Sequence, residues 1–185
     1  MRTVISILLT LAAVAALGAA LVYSGAVNFA ADEPHSAAVF ALIERARERS
    51  IEARIERLEP RAVDDALVAE GASHYGAMCE GCHLAPGMDD TDLRRGLYPQ
   101  PPKLASPEYA RATGEREATA ARQFWIVKHG LKASGMPAWG ITHDDETIWG
   151  IVAFLQRLPQ LSPAEYDALT EGGNAHESHE RSDEL

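Results

Sequence analysis

Two thiols and an imidazole lie within five residues of one another, in the segment Cys79-Glu80-Gly81-Cys82-His83. This C-x-x-C-H spacing is the signature of a c-type haem attachment site. Two thiols on one helical turn can add to the two vinyl groups of a haem and form thioethers, and the imidazole that follows can bind the iron. We therefore predict one covalently bound haem c at Cys79, Cys82 and His83, with His83 as the proximal iron ligand.

Three other uses of the two cysteines fit the sequence less well. A redox-active dithiol requires a strand–helix setting of the thioredoxin type, which the flanking sequence lacks. A zinc site requires four ligands, and the chain contains 2 cysteines in all, so a second pair does not exist. A structural disulfide would leave His83 without a role. Haem attachment is therefore the prediction for this motif.

The far side of the haem iron requires its own ligand if the iron is to be closed to exogenous molecules. The side chains that could supply this ligand are Met78, Met88, Met136, His74, His129 and His143. Met78 adjoins Cys79 and cannot reach across the ring, and Met88 follows His83 too closely to pass around the macrocycle.

Met136 is the predicted distal ligand. It lies between Gly135 and Pro137, in a tight turn that can present a thioether from a loop. A methionine is usually core filler, but the flanking turn and the absence of a helical apolar stripe argue against that role here. His129 is the alternative ligand, and it would give a bis-histidine haem of lower potential.

The predicted ligand pair decides between classes of function. Histidine and methionine together raise the reduction potential of a haem and leave no open coordination position. We therefore predict a single-electron carrier and not an enzyme, since no acid–base group is evident beside the motif. The alternative is a haem-based ligand-binding or sensing module, in which the distal methionine is displaced.

The N-terminal segment is apolar and long enough to cross a membrane. Residues 4–23 form one apolar run, and the chain has no charged residue between Arg2 and Asp32. About 20 apolar residues suffice to span a bilayer. Arg2 before the run favours a cytoplasmic N-terminus and an exported domain. We predict a transmembrane anchor at residues 1–25. A cleaved signal peptide is the alternative, with the same exported domain.

The rest of the chain divides into three predicted parts. Glutamate and arginine alternate densely over residues 36–58, which predicts a solvated helical stalk within residues 26–62. Helical periodicity at residues 64–77, 115–129 and 144–158 predicts an all-α domain over residues 63–170. Proline and glycine between residues 84 and 113 exclude long regular elements there. Residues 171–185 are polar and predict a disordered tail.

The charge balance narrows the choice of partners. The formal net charge is −10 at pH 7, so no surplus of lysine and arginine is available to neutralise phosphates. This excludes nucleic acid as the expected partner. An acidic surface favours instead a protein partner with a basic docking face.

With the haem motif, the proline-rich loop and the methionine turn in place, residues 64–170 resemble the class I cytochromes c. The resemblance is closest to membrane-anchored bacterial monohaem types, such as the c-type subunits of terminal oxidases and dehydrogenases. It implies a redox partner that is an oxidase, a quinol-oxidising complex or a dehydrogenase. It also implies a location at the cytoplasmic membrane, with the haem domain in the periplasm.

The same resemblance assigns roles to several residues. The helix that ends in the haem motif is expected to cross the C-terminal helix of the domain. The residues that resemble the family's crossing positions are Gly71, Tyr75, Trp149, Ala153 and Phe154. Pro102 resembles the proline whose carbonyl accepts a hydrogen bond from the proximal histidine, and Met136 matches the distal ligand. Pro102 is therefore expected to orient His83.

Overall fold

The computed structural model describes residues 1–55, 64–108 and 120–171, and every regular element in these ranges is helical. The all-α prediction is confirmed. The α-helices are α1 (Arg2–Tyr23), α2 (Ala37–Ile55), α3 (Asp65–Met78), α4 (Glu80–His83), α5 (Asp92–Gly96), α6 (Ala120–His129), α7 (Asp145–Arg157) and α8 (residues 163–171). Short 3-10 helices cover Trp139–Ile141 and Leu158–Gln160. Apart from Glu171, which is helical, the predicted tail lies outside the described residues.

The chain forms two compact units, Met1–Pro34 and His35–Leu185. The first contains α1, a helix of 22 residues that is long and apolar enough to cross a membrane. None of its side chains is buried, which is unlike the core helix of a soluble protein. A secretory signal near the N-terminus would have the same length and composition. The predicted boundary between residues 62 and 63 lies outside the described residues.

The second unit is built on the crossing of α3 and α7. Both helices begin at an aspartate that caps the first turn. The Asp64 carboxylate accepts a hydrogen bond from the amide of Leu67 at 2.8 Å, and the Asp144 carboxylate accepts one from the amide of Thr147 at 2.9 Å. The apolar faces of the two helices are buried against each other, which fixes the centre of the domain.

Two glycines allow α3 and α7 to approach closely. A Cβ atom placed on Gly71 would lie 1.9 Å from the carbonyl oxygen of Gly150. Beside this contact, the rings of Tyr75 and Phe154 lie 5.3 Å apart. Gly150, which the sequence analysis did not single out, is therefore the residue that meets Gly71. Trp149 instead stacks on Phe124 of α6 with ring centroids 4.3 Å apart.

The helix α2 packs against α6. Ile51 of α2 is 1% exposed, and Arg122 of α6 donates a hydrogen bond to the Glu48 carboxylate at 2.7 Å. The first half of α2 remains exposed, as Leu42 at 70% shows. The structure therefore places the second half of the predicted stalk helix against the domain and not in solvent.

Candidate functional site

The second unit contains a cavity of about 1090 Å³, and every predicted site residue lines it. These residues are Cys79, Cys82, His83, Pro102 and Met136. They come from the junction of α3 and α4, from α4 itself and from two separate loops, so the fold brings together groups that are far apart in the chain. A cavity of this size is large enough for a cofactor.

The junction of α3 and α4 holds both cysteines at the cavity wall. Cys79 ends α3, and its carbonyl accepts a hydrogen bond from the amide of His83 at 2.8 Å, which closes one helical turn over the motif. Both thiols are free. Burial raises the pKa of the Cys79 thiol to about 12, and the neighbouring Cys82 adds to this effect. A reactive dithiol has a lowered thiol pKa, so this environment argues against that alternative.

The His83 imidazole is oriented by a backbone carbonyl. Its Nδ1 lies 2.9 Å from the carbonyl oxygen of Pro102. Since a carbonyl oxygen only accepts, Nδ1 carries the proton and the lone pair of Nε2 is left to bind a metal. Burial lowers the pKa of His83; the charge of Arg94 also lowers it, whereas the hydrogen bond to Pro102 raises it. The imidazole is therefore neutral at pH 7, as a metal ligand must be.

A buried arginine holds the segment that carries Pro102. Arg94 is 7% exposed, and its Nε donates a hydrogen bond to the Pro101 carbonyl at 2.8 Å. Its Nη1 donates to the Asp90 carboxylate at 2.7 Å, and this bond lowers the pKa of Asp90. Arg94 was not among the residues predicted from the sequence. The spacing of four residues between Asp90, which precedes α5, and Arg94 within it was the available signal.

Two tyrosines fix the backbone around the motif. The hydroxyl of Tyr75 donates a hydrogen bond to the carbonyl of Leu84 at 2.8 Å, and Leu84 directly follows His83. The hydroxyl of Tyr166 donates to the Glu80 carboxylate at 2.6 Å and so connects α8 to α4. Burial raises the pKa of both hydroxyls, so both remain protonated donors at pH 7.

Replacing Tyr75 with phenylalanine is expected to lower the free energy of unfolding by about 1–3 kcal/mol, because the buried carbonyl of Leu84 loses its donor. Denaturant titration of the parent chain and the variant measures the difference. Tyr98→Phe is the control, since the Tyr98 hydroxyl accepts from an exposed amide, that of His35, which water can satisfy instead. Equal losses in the two variants would contradict the role given to Tyr75.

A tight loop presents Met136 to the cavity. Its amide donates a hydrogen bond to the Ser134 hydroxyl at 3.2 Å, and that hydroxyl donates to the Leu131 carbonyl at 2.7 Å. Gly130 has a φ of +63°, and a Cβ atom there would lie 2.7 Å from the carbonyl carbon of Pro137. The loop is therefore folded back on itself, and only glycine fits at its start.

The other candidate iron ligands are arranged less favourably. Met88 is 39% exposed. His129 is exposed and does not line the cavity; it borders an adjoining groove of about 620 Å³ beside Trp125. His74 and His143 lie against each other, with ring centroids 5.5 Å apart. Met78 also lines the cavity, next to Cys79.

The donor set fits a haem and does not fit a conventional metal site. Over the described ranges 1–55, 64–108 and 120–171, no group of three or more His, Cys, Asp or Glu side chains could hold a metal ion. The cavity instead offers two thiols, one neutral imidazole and the thioethers of Met78 and Met136. These are the groups that thioether attachment and axial coordination of a haem require.

Comparison with known proteins identifies the class of this domain. Residues 66–155 match the family model of the cytochrome c oxidase, cbb3-type, subunit III. The matched segment includes all five predicted site residues. No curated protein and no solved structure has detectable similarity to the chain.

These helices form a class I cytochrome c domain, similar to the c-type subunits of oxidases. Within that class, residues 66–155 are similar to subunit III of cbb3-type cytochrome c oxidases. The domain implies haem-based electron transfer. Together with α1, it fits a membrane-anchored protein with redox partners.

Proposed function

We propose that the protein is a single-electron carrier with one haem c, covalently bound through Cys79 and Cys82. His83 and Met136 are its axial ligands. The observation that carries this proposal is that all four side chains line one cavity, in which His83 is already oriented by Pro102. The haem iron supplies a one-electron change between its ferric and ferrous states. The chain determines the ligands, the potential and the access of other molecules.

A haem iron held by both His83 and Met136 would be suited to electron transfer and not to catalysis. The hydrogen bond from His83 to Pro102 fixes the ring orientation and increases the basicity of the imidazole. A thioether on the other side raises the reduction potential and closes the last coordination position. Because the Met136 loop is held by Ser134 and Gly130, the thioether stays in place and excludes water, oxygen and peroxide.

The proposed location is the periplasmic face of the cytoplasmic membrane, with α1 retained as the anchor. Arg2 before the apolar segment supports a cytoplasmic N-terminus. A tether raises the effective concentration of the domain near membrane-bound partners. The proposed partner is an oxidase, a quinol-oxidising complex or a dehydrogenase. The net charge of −10 supports a basic docking face on that partner.

Replacing Met136 with alanine tests the ligand assignment and the function together. Loss of the thioether is expected to abolish the weak long-wavelength absorption of the oxidised protein. It is also expected to lower the midpoint potential by on the order of 100 mV, since axial ligands set haem potentials over a span of about 0.8 V. The reduced variant should bind carbon monoxide completely, whereas the parent should not. Optical titration of the full chain in detergent measures all three properties.

Met88→Ala is the matched control, because Met88 is also a methionine of the domain but lies exposed. It should leave the spectrum, the potential and the response to carbon monoxide unchanged. A parent that binds carbon monoxide rapidly and completely would favour the sensing module over the carrier. If the parent has no long-wavelength band and His129→Gln changes its spectrum, His129 is the distal ligand.

A further inference from the structure

The helix α2 forms one wall of the cavity, although it lies outside the segment matched by the family model. Its cavity-lining side chains include Phe40, Glu44, Arg47, Glu48 and Ile51. Ile51 is 1% exposed and so belongs to the domain interior. The haem cavity therefore has a polar wall that the cytochrome c resemblance does not account for.

A network of charges joins α2 to α6 along this wall. Arg122 of α6 is buried, with 2% of its side chain exposed, and its Nη2 lies 2.7 Å from a Glu48 carboxylate oxygen. The other oxygen of Glu48 lies 3.5 Å from Nε of Arg47, and Arg47 also pairs with Glu44. Two glutamates and two arginines thus alternate at the edge of the cavity.

A buried arginine has a high desolvation cost unless anions compensate it. A haem carries two propionate groups on an otherwise apolar ring, and the planar guanidinium matches a carboxylate with two parallel hydrogen bonds. Arginines in an otherwise suitable haem cavity are therefore placed to meet the propionates. The Glu48 carboxylate, which also lines the cavity, holds Arg122 at this wall through their ion pair.

We infer that Arg122 and Arg47 bind the haem propionates and that Glu48 positions both arginines, which makes α2 a part of the haem site. This inference rests on the proposed covalent haem c. According to this inference, α2 helps to set the reduction potential of the haem and also connects the domain to the N-terminal segment.

Neutralising Arg122 and neutralising Glu48 should change the reduction potential in opposite directions. A positive charge near the haem disfavours the ferric state, and a negative charge favours it. Arg122→Gln should therefore shift the reduction equilibrium about tenfold toward the oxidised form, which is about 59 mV for a one-electron couple. Glu48→Gln should shift it toward the reduced form. A packing role alone gives no reason for opposite shifts.

The experiment uses the haem-loaded full chain and spectroelectrochemical titration. Lys128→Gln is the control for Arg122→Gln, because Lys128 lies on α6 and pairs with Asp145 away from the cavity lining. Arg54→Gln is the control on α2, since Arg54 does not line the cavity and bonds to Ser50. Both controls should change the equilibrium by less than twofold.

Resonance Raman spectra of the same proteins separate propionate binding from a general charge effect. The propionate bending bands should move in Arg122→Gln and Arg47→Gln and stay fixed in both controls. Bands that stay fixed in both cavity variants would overturn the inference, as would potentials equal to those of the controls. If Arg122→Gln does not assemble, Arg47→Gln and Glu48→Gln decide the question. A parent chain without covalent haem would overturn the proposed function itself, whereas a haem-loaded parent with insensitive bands would overturn this inference alone.

Discussion

Replacement of both Cys79 and Cys82 with serine is expected to leave the chain without any covalently attached haem. A thiol adds to a haem vinyl group and forms a stable thioether, whereas a serine hydroxyl does not. The two cysteines are the only ones in the sequence, so no other thiol can substitute for them. Haem staining after denaturing electrophoresis and the mass of the intact chain measure the loss, which should be complete.

The single variants Cys79→Ser and Cys82→Ser are the matched controls, because each retains one thiol at the cavity wall. Each should keep its haem through one thioether, with a ferrous absorption band displaced from that of the parent. Haem that stays with the double variant through denaturation would show that attachment does not use this motif. The proposed ligands His83 and Met136 alone would not hold a haem in an unfolded chain.

The helix positions were predictable because local signals mark where the helices begin. Periodicity predicted helices at residues 64–77 and 144–158, and the structure has Asp65–Met78 and Asp145–Arg157. An aspartate before each helix caps the free amides of its first turn, and this preference is visible in sequence. The predicted segment at residues 115–129 corresponds to Ala120–His129, with its first part outside the described residues.

The site was predictable only where a short motif or a resemblance carried the information. The C-x-x-C-H spacing is local, so it indicated the cysteines and His83 directly. The contact between His83 and Pro102 joins residues 19 apart, and only the resemblance suggested it. Arg94 was missed because a buried arginine and a solvated one have the same local sequence pattern. Its partner is the backbone carbonyl of Pro101, and because every residue has such a carbonyl, this contact cannot be recognised from residue type.

The helix α2 shows where pattern alone is insufficient. Its alternating Glu and Arg residues are typical of a helix exposed on all sides, since such pairs stabilise isolated helices. In the structure, Glu48 instead pairs with Arg122, 74 residues away, and Ile51 is buried beside them. The charge pattern predicted the helix correctly and its surroundings only in part, because packing depends on a partner distant in sequence.

Substitution of Gly71 by alanine is expected to destabilise the domain strongly. The added Cβ would lie 1.9 Å from the carbonyl oxygen of Gly150 and 2.8 Å from the amide nitrogen of Ile151. Both are backbone atoms of α7, so no rotamer change relieves the contact and the helices must separate. Overpacking costs about 1–3 kcal/mol, and a clash between backbone atoms is expected at the upper end of this range. Thermal and denaturant unfolding of the haem-loaded chain measure the loss.

Gly76→Ala tests whether the crossing, and not helix propensity, causes this loss. Gly76 lies on the same helix, but a Cβ there would meet a side-chain atom of Thr170 at 3.3 Å and no backbone atom of another helix. Alanine favours a helix over glycine by about 1 kcal/mol, so this control should stay within about 1 kcal/mol of the parent. Because α3 also ends at Cys79, separation of the helices in Gly71→Ala should reduce haem incorporation as well. Equal stability of the two variants would show that the Gly71–Gly150 contact does not determine how α3 and α7 pack.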